Sequence, residues 1–509
     1  MTIESRTVRG HIVIVTLPAW GHVHCACALA ATIVRYRPVH VTIFVVSLLS
    51  DRVSKELDTR FEPGVEDDMR RLIRIVGLEV GPNIFDTSAI SAGFMKEYEK
   101  FFDGKSHTEN GSALDTIEPG PPQLVVIDFV YEAMEGIRKV SGHDVPVYLL
   151  QSACASTVLY FFGPDVGIYN NLEEELKAIP YEDKEAILEE SDKIIRKSSG
   201  RLIAIPGLPP MYDHERMAQK SIFPKGGAFI TASIRRILLE CDGAICNTNR
   251  IYEAPSITAL EEWFNGRPVI NVGPLDSPLT LHHEEDSPSN REVKAFLDSA
   301  LERYGPKSVV YMSFGSIYWT AEPDKIWVVL DAMIEEGVPF LFAHASPFAT
   351  IPDEVKEKIK ASGLGYSSNW LPQQAILDHQ ACGWFITHCG HNSVNEAISA
   401  GVPLVCWPFD ADQPNGAANI ASVHNLGYEL FEVRTGSGLL PIHRLGDKVP
   451  EGTVESVKRE FSETLRKMRG QDGAVKRANV QKFRDAYAKL WAPGGENWDE
   501  IKKITDILQ

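Results

Sequence analysis

Short apolar runs rich in valine and isoleucine alternate along the chain with stretches of helical periodicity. In the first half the runs are His11–Leu17, Val39–Val46, Leu124–Ile127 and Pro146–Leu150, with helical patterns at Val23–Tyr36 and Tyr131–Ser141. Apolar runs of this length read as strands buried on both faces, and strands separated by helices read as a parallel sheet. Residues 167–200 are charged and helix-like, with Glu173, Glu174, Glu175 and Lys177 on a solvated face. The stretch Asp276–Asn290 is polar, contains Pro278 and Pro288, and lacks periodicity, which predicts an interdomain linker over 276–292. Beyond it the alternation restarts with runs at Ser308–Phe314, Pro339–Ala343, Gly383–Thr387 and Val402–Trp407. The expectation is an α/β protein with two Rossmann-like, doubly wound parallel-sheet domains facing each other across a cleft. Polar residues stand just past the ends of the runs: His22, Asp128, Ser316, His388, Asp412 and Gln413. Open parallel sheets bind ligands at that edge.

A chain of 509 residues exceeds one ordinary domain, and 44 % apolar with 24 % charged residues is a globular composition. The net charge of −18, from 69 acidic against 51 basic residues, disfavours nucleic acid and anionic membranes and favours a small-molecule substrate. The eight cysteines lie mostly in apolar or strand-like stretches and form no dense regular framework, as expected of reduced thiols in a cytoplasmic protein. Met1–Gly10 lacks the apolar core of a signal peptide, and Val41–Leu49 falls far short of the ~20 residues a membrane helix needs. The chain is expected to be a monomer without a membrane span.

The densest constellation runs from Trp370 to Gln413 (WLPQQAILDHQACGWFITHCGHNSVNEAISAGVPLVCWPFDADQ). Strand Gly383–Thr387 leads into the turn His388-Cys389-Gly390-His391, and a helix is expected from near Asn392. Ser393 and Glu396 have the spacing of a capping box, and Gly401 with Pro403 supplies the stop. A helix N-terminus behind a glycine-containing turn attracts anions, phosphate above all. A plain strand–turn–helix with a cap fits the spacing as well.

This segment is similar, without a gap, to the donor-binding box of the UDP-dependent glycosyltransferases of plant secondary metabolism (the GT1 family, of GT-B fold). Further likeness lies in Ser308–Ser316, Asn247-Thr248 with Glu253, Val272–Leu275 and Ile205–Pro209. The resemblance implies a donor-binding domain at 293–490, an acceptor-binding domain at 1–275, and a last segment, 491–509, packing back on the latter. It implies that Trp370 stacks on uracil, that Leu371 and Gln373 complete the base and ribose contacts, and that Glu396 accepts the ribose hydroxyls. Ser316, His388, Asn392 and Ser393 would hold the diphosphate, and Asp412, Gln413 and His391 the sugar. Plant members carry Trp where this chain has His391, whereas the Asp412-Gln413 pair associated with glucose is intact.

In the first half, His22 at a helix start and Asp128 at a strand end match the family's catalytic pair, and Ser152 matches a hydroxyl near the donor phosphate and sugar. The helix N-terminus is expected to help keep His22 neutral. The implied activity is metal- and cofactor-independent transfer, with inversion, of glucose from UDP-glucose to a hydroxyl of a small hydrophobic acceptor. A same-fold epimerase or hydrolase and a silent nucleotide-sugar sensor are the alternatives. Two clusters, His22/His24/Cys25/Cys27 and His388/Cys389/His391, would suit a soft metal by residue type. In the first, Cys25 and Cys27 lie within one helical turn and point to different faces, and buried small cysteines are the simpler account.

Overall fold

The computed structural model describes residues 8, 10–102, 119–180, 183–223, 225–275 and 287–508. Among these the strands in chain order are β1 (His11–Val15), β2 (His40–Val46), β3 (Ile73–Leu78), β4 (Leu124–Ile127), β5 (Val147–Gln151), β6 (Leu202–Ile203), β7 (Met211–Tyr212), β8 (Gly243–Cys246) and β9 (Val269–Asn271). The second half supplies β10 (Val309–Ser313), β11 (Phe340–Ala343), β12 (Gly365–Ser368), β13 (Cys382–Thr387), β14 (Leu404–Cys406) and β15 (Gly427–Glu429). All eight runs picked out by hydrophobicity are strands, Leu124–Ile127 with the same bounds and the others with ends shifted by one or two residues. Helix Tyr131–Ser141 has the expected bounds, and the helix expected from Val23 begins three residues earlier, at Trp20.

Two all-parallel sheets result. The first has the order β3-β2-β1-β4-β5-β8-β9 and the second β12-β11-β10-β13-β14-β15, while β6 and β7 form a separate hairpin. The central strands β1 (HIVIV), β4 (LVVI) and β10 (VVYMS) are buried along their whole length, because helices cover both faces of a parallel sheet and apolar, largely β-branched side chains fill that space. In each sheet the strand order reverses beside a central strand, between β1 and β4 in one and between β10 and β13 in the other. Such a switch point opens a crevice at the carboxyl ends of its two strands.

The linker expected over 276–292 overlaps helix Pro288–Tyr304 in its last five residues. Residues 276–286 lie outside the described residues, and Ser287 already caps the helix Pro288–Tyr304, its Oγ accepting from the Asn290 N–H at 3.1 Å. Residues 1–7 and 9 of the polar N-terminal stretch are likewise outside. Near the other end, helix Glu496–Asp506 lies against helix Trp20–Tyr36 and β9 of the first domain. Trp498 stacks on Tyr36 at 6.2 Å, and the Trp491 Nε1–H donates to the Pro274 oxygen at 2.6 Å. No helix among the described residues is long and apolar enough to cross a membrane.

Candidate active site

The two switch-point crevices open into one cavity of 1180 Å³, lined by residues of both domains. Single-ligand pockets measure ~300–1,000 Å³, so this one is large enough for two molecules side by side.

On the first-domain side, β1 delivers His22 and β4 delivers Asp128. His22 is the third residue of helix Trp20–Tyr36, and its Nδ1 lies 2.8 and 3.0 Å from the two Asp128 oxygens. A carboxylate only accepts, so Nδ1 carries the proton and Nε2 keeps a lone pair. Asp128 is buried and also accepts from the Leu17 and Phe129 main-chain N–H groups at 3.0 and 2.9 Å, which fixes its orientation. Ser152, just after β5, stands 3.4 Å from the same Nδ1, beside the His–Asp pair. Burial pulls the His22 pKa down, but the Asp128 charge and hydrogen bond, with Asp412 adding to them, carry the net result above 6.5. The neutralising effect expected of the helix N-terminus is therefore outweighed.

A buried carboxylate supports this half. Glu253 accepts from Ala155 N–H, Ser156 N–H and the Thr248 hydroxyl at 2.6, 2.9 and 2.6 Å. It satisfies the first turn of helix Ala155–Phe162 from a distant part of the chain, which accounts for Thr248 and Glu253 as landmarks of the sequence.

On the second-domain side, β10 leads to Ser316 and β13 to the turn at His388. Gly315 between them has φ +73°, and a Cβ there would lie 2.9 Å from the His388 ring, so only glycine fits. Burial lowers the His388 pKa to about 4, against a hydrogen bond to the Ser313 backbone, so the ring is neutral at physiological pH. Helix His391–Ala400 follows, with Gly390 as its N-cap and Gly401 as its left-handed C-cap. Gly390 leaves no side chain to cap it, which corrects the capping box expected of Ser393 and Glu396. Both lie within the helix, and Gln373 Nε2 donates to Ser393 Oγ at 3.2 Å and to Glu396 Oε2 at 2.5 Å. These three side chains, half-exposed Trp370 and buried Leu371 form one wall of the cavity.

Asp412 is the N-cap residue of helix Gln413–Ala418 and accepts the His391 main-chain N–H at 3.1 Å. Burial pushes its carboxyl up to about 6, while that N–H and the nearby His22 work the other way. Gln413 is buried, and its Oε1 takes the N–H groups of Phe409 and Asp410 at 2.9 and 3.4 Å, holding the turn that carries Asp412. His391 and Asn392 reach across the cleft. His391 Nε2 lies 2.7 Å from the Asn247 oxygen, and Asn392 Nδ2 donates to the Gly21 oxygen at 2.7 Å. The backbone N–H of His391, a candidate sugar contact in the sequence, is thus taken by Asp412. Asn392 is committed to the turn before His22 and, through its oxygen, to Asn247 at 3.1 Å.

Asn247 appeared in the sequence only as a landmark beside Thr248, without a role, and the apolar wall formed by Phe129, Phe161, Phe162, Tyr169, Ile195 and Ile234 was not singled out. The wall gathers residues from five separate segments, and nothing in local periodicity brings these together.

Two parallel-sheet domains, each offering a switch-point crevice to a shared cleft, define the GT-B class. Residues 268–439 match the family model described as UDP-glucoronosyl and UDP-glucosyl transferase. The chain is similar to UDP-glycosyltransferase eriJ of Hericium erinaceus, 34 % identical over 63 % of this chain and 65 % of that one. It is also similar to UDP-glycosyltransferase 84B1 of Arabidopsis thaliana, 32 % identical over 45 % and 51 %. The chain thus spans about half to two thirds of the length of these relatives. UDP-glycosyltransferase 74C1 of Arabidopsis thaliana matches at 24 % identity over 99 % of this chain and 100 % of its own. The crystal structure of Medicago truncatula UGT71G1 complexed with UDP-glucose has the same fold, with TM-score 0.69 at 18 % identity over 98 % and 99 % of the two chains. A transferase from Siraitia grosvenorii in complex with UDP gives 0.70 at 19 %, over 98 % and 99 %. The chain is thus similar to UDP-dependent glycosyltransferases over part of its length and shares the fold of their solved structures.

Proposed function

We propose that this protein transfers glucose from UDP-glucose to a hydroxyl of a small hydrophobic acceptor, with inversion at the anomeric carbon and without a metal ion. The observation that carries the reading is the His22–Asp128 contact of 2.8 Å in the same cavity as Trp370, Glu396 and Asp412. His22 Nε2 takes the acceptor proton as the acceptor oxygen bonds to the anomeric carbon. The bond from that carbon to the β-phosphate oxygen breaks, and its electrons leave on UDP. Asp128 stabilises the imidazolium that forms. The N-terminus of helix His391–Ala400 and the Ser316 and Ser393 hydroxyls receive the diphosphate charge, which supports a reaction that needs no divalent cation. Neutral His388 contributes hydrogen bonding only.

The aromatic and aliphatic wall favours an apolar acceptor, and two chemically opposite sides favour two substrates bound at once. The buried positions of all eight cysteines suit a cytoplasmic setting. The decisive experiment incubates purified protein with UDP-glucose and a panel of phenols, terpenols and sterols, with anomeric NMR of the product. A β-glucoside supports the reading, and UDP release without any glucoside across the panel overturns it.

A further inference from the structure

Helix Ser50–Thr59 follows β2 in the first domain, and Arg52, Lys55, Glu56 and Thr59 on it line the shared cavity. Steps of three, four and seven place these four on one helical face. Trp370, Gln374 and Asp378 of the second domain line the same cavity. Arg52 makes the crossing. Its guanidinium lies 3.5 Å from the ring centroid of Trp20 and 4.5 Å from that of Trp370. One cation is therefore shared between indoles of opposite domains, and Trp20 opens the helix that carries His22. Trp370 nevertheless remains 51 % exposed, an unusual state for a large ring inside a cleft.

We propose that this helix face is the second wall of a pyrimidine-nucleotide site and that Arg52 is a positioning residue for the donor, closing on the base stacked against Trp370. The inference rests on the reading of Trp370 as the base-stacking residue. A pyrimidine offers a flat π face and two carbonyl acceptors, and a planar guanidinium offers a flat cation and a fork of donors to match. The nucleotide then touches both domains, so its binding favours the closed cleft through contacts that the open one lacks. The family-like box accounts for the second-domain half of this site, and the Arg52 face adds a first-domain half.

UDP is the probe, titrated calorimetrically into wild-type, Arg52→Ala and Arg52→Met protein, with transfer from UDP-glucose to a phenol followed in parallel. The expected result is UDP binding weakened by about three- to thirtyfold in both variants, the range of a desolvated cation–π contact. For transfer, the loss appears in the KM for UDP-glucose rather than in kcat. Arg52→Met keeps an apolar stem over Trp20, so general loosening of the fold would separate the two variants. Weakening of less than threefold in Arg52→Met, or tighter binding, overturns the proposal. Should wild-type protein bind UDP and transfer nothing, the transferase reading fails while the Arg52 comparison still decides this one. If wild-type protein does not bind UDP, both fall.

Discussion

The His391 ring and the main-chain oxygen of Asn247 meet at 2.7 Å, joining the first turn of the donor-side helix to the end of β8 in the opposite domain. Burial among these groups lowers the His391 pKa to about 4, so the ring is neutral and donates a single N–H. This side chain is engaged with protein. His391→Ala is therefore expected to lower thermal stability by the ~1 kcal/mol worth of a buried hydrogen bond. The kcat/KM ratio between UDP-glucose and UDP-galactose should move by less than about threefold, since the loss is shared by both donors. A collapse of that ratio would return His391 to the sugar site.

His22→Ala should cut turnover by about 10²–10⁴-fold, the usual worth of a general base, while UDP affinity stays near that of the wild type. Calorimetry with UDP beside a steady-state assay separates the two effects. Near-wild-type turnover would remove His22 from the mechanism.

The pH profile tests the pair. A base works deprotonated, so kcat/KM should fall as pH drops through the raised His22 pKa, giving an acid limb above pH 6.5. Asp128→Asn removes the charge that raises it and leaves burial, so the limb should move to lower pH while the maximal rate drops. An acid limb that stays in place in Asp128→Asn would show that another group titrates.

On the proposed reading, donor choice rests on Asp412 and Gln413. Wrong stereochemistry at a buried polar site strands donors or acceptors at about 1–3 kcal/mol each, so UDP-glucose should exceed UDP-galactose by at least about tenfold in kcat/KM. Gln413→Ala should lose most of the glucose rate, partly because Oε1 also holds the Phe409 and Asp410 N–H groups and with them the Asp412 turn. A side-by-side assay in which UDP-galactose, UDP-xylose or UDP-glucuronate proves the faster donor would reject glucose.

Treatment with EDTA should leave activity within about twofold, because a helix N-terminus and hydroxyls receive the phosphates. Loss on chelation that a divalent ion restores would establish a metal requirement instead.

The sequence carried the layered fold well, because buried parallel strands are continuous apolar runs. The strands it did not reveal are those without such a run. β3 (IRIVGL) is broken by Arg74 and Gly77 and only partly buried, β6, β7, β9 and β15 have two or three residues each, β8 (GAIC) begins with glycine and alanine, and β12 (GYSS) is a half-buried edge strand. The donor side was readable because its residues lie in one continuous box, whereas the first-domain side combines His22, Asp128, Asn247 and Arg52 from four strands and helices. Spacing also misled once, at Ser393 and Glu396. The pattern resembles a cap, yet both side chains face Gln373 one turn inside the helix. A local rule cannot distinguish a residue that caps its own helix from one that braces a neighbour.

The contact between Trp491 and Pro274 has a mechanical consequence. The chain leaves the first domain after Leu275 and returns to it at Trp491, and the Nε1–H bond to the Pro274 oxygen fastens the two crossings together. Together with the ties from His391 to Asn247 and from Asn392 to Gly21, this fastening holds the two domains at several separate places, so that sliding of one past the other must break more than one of them.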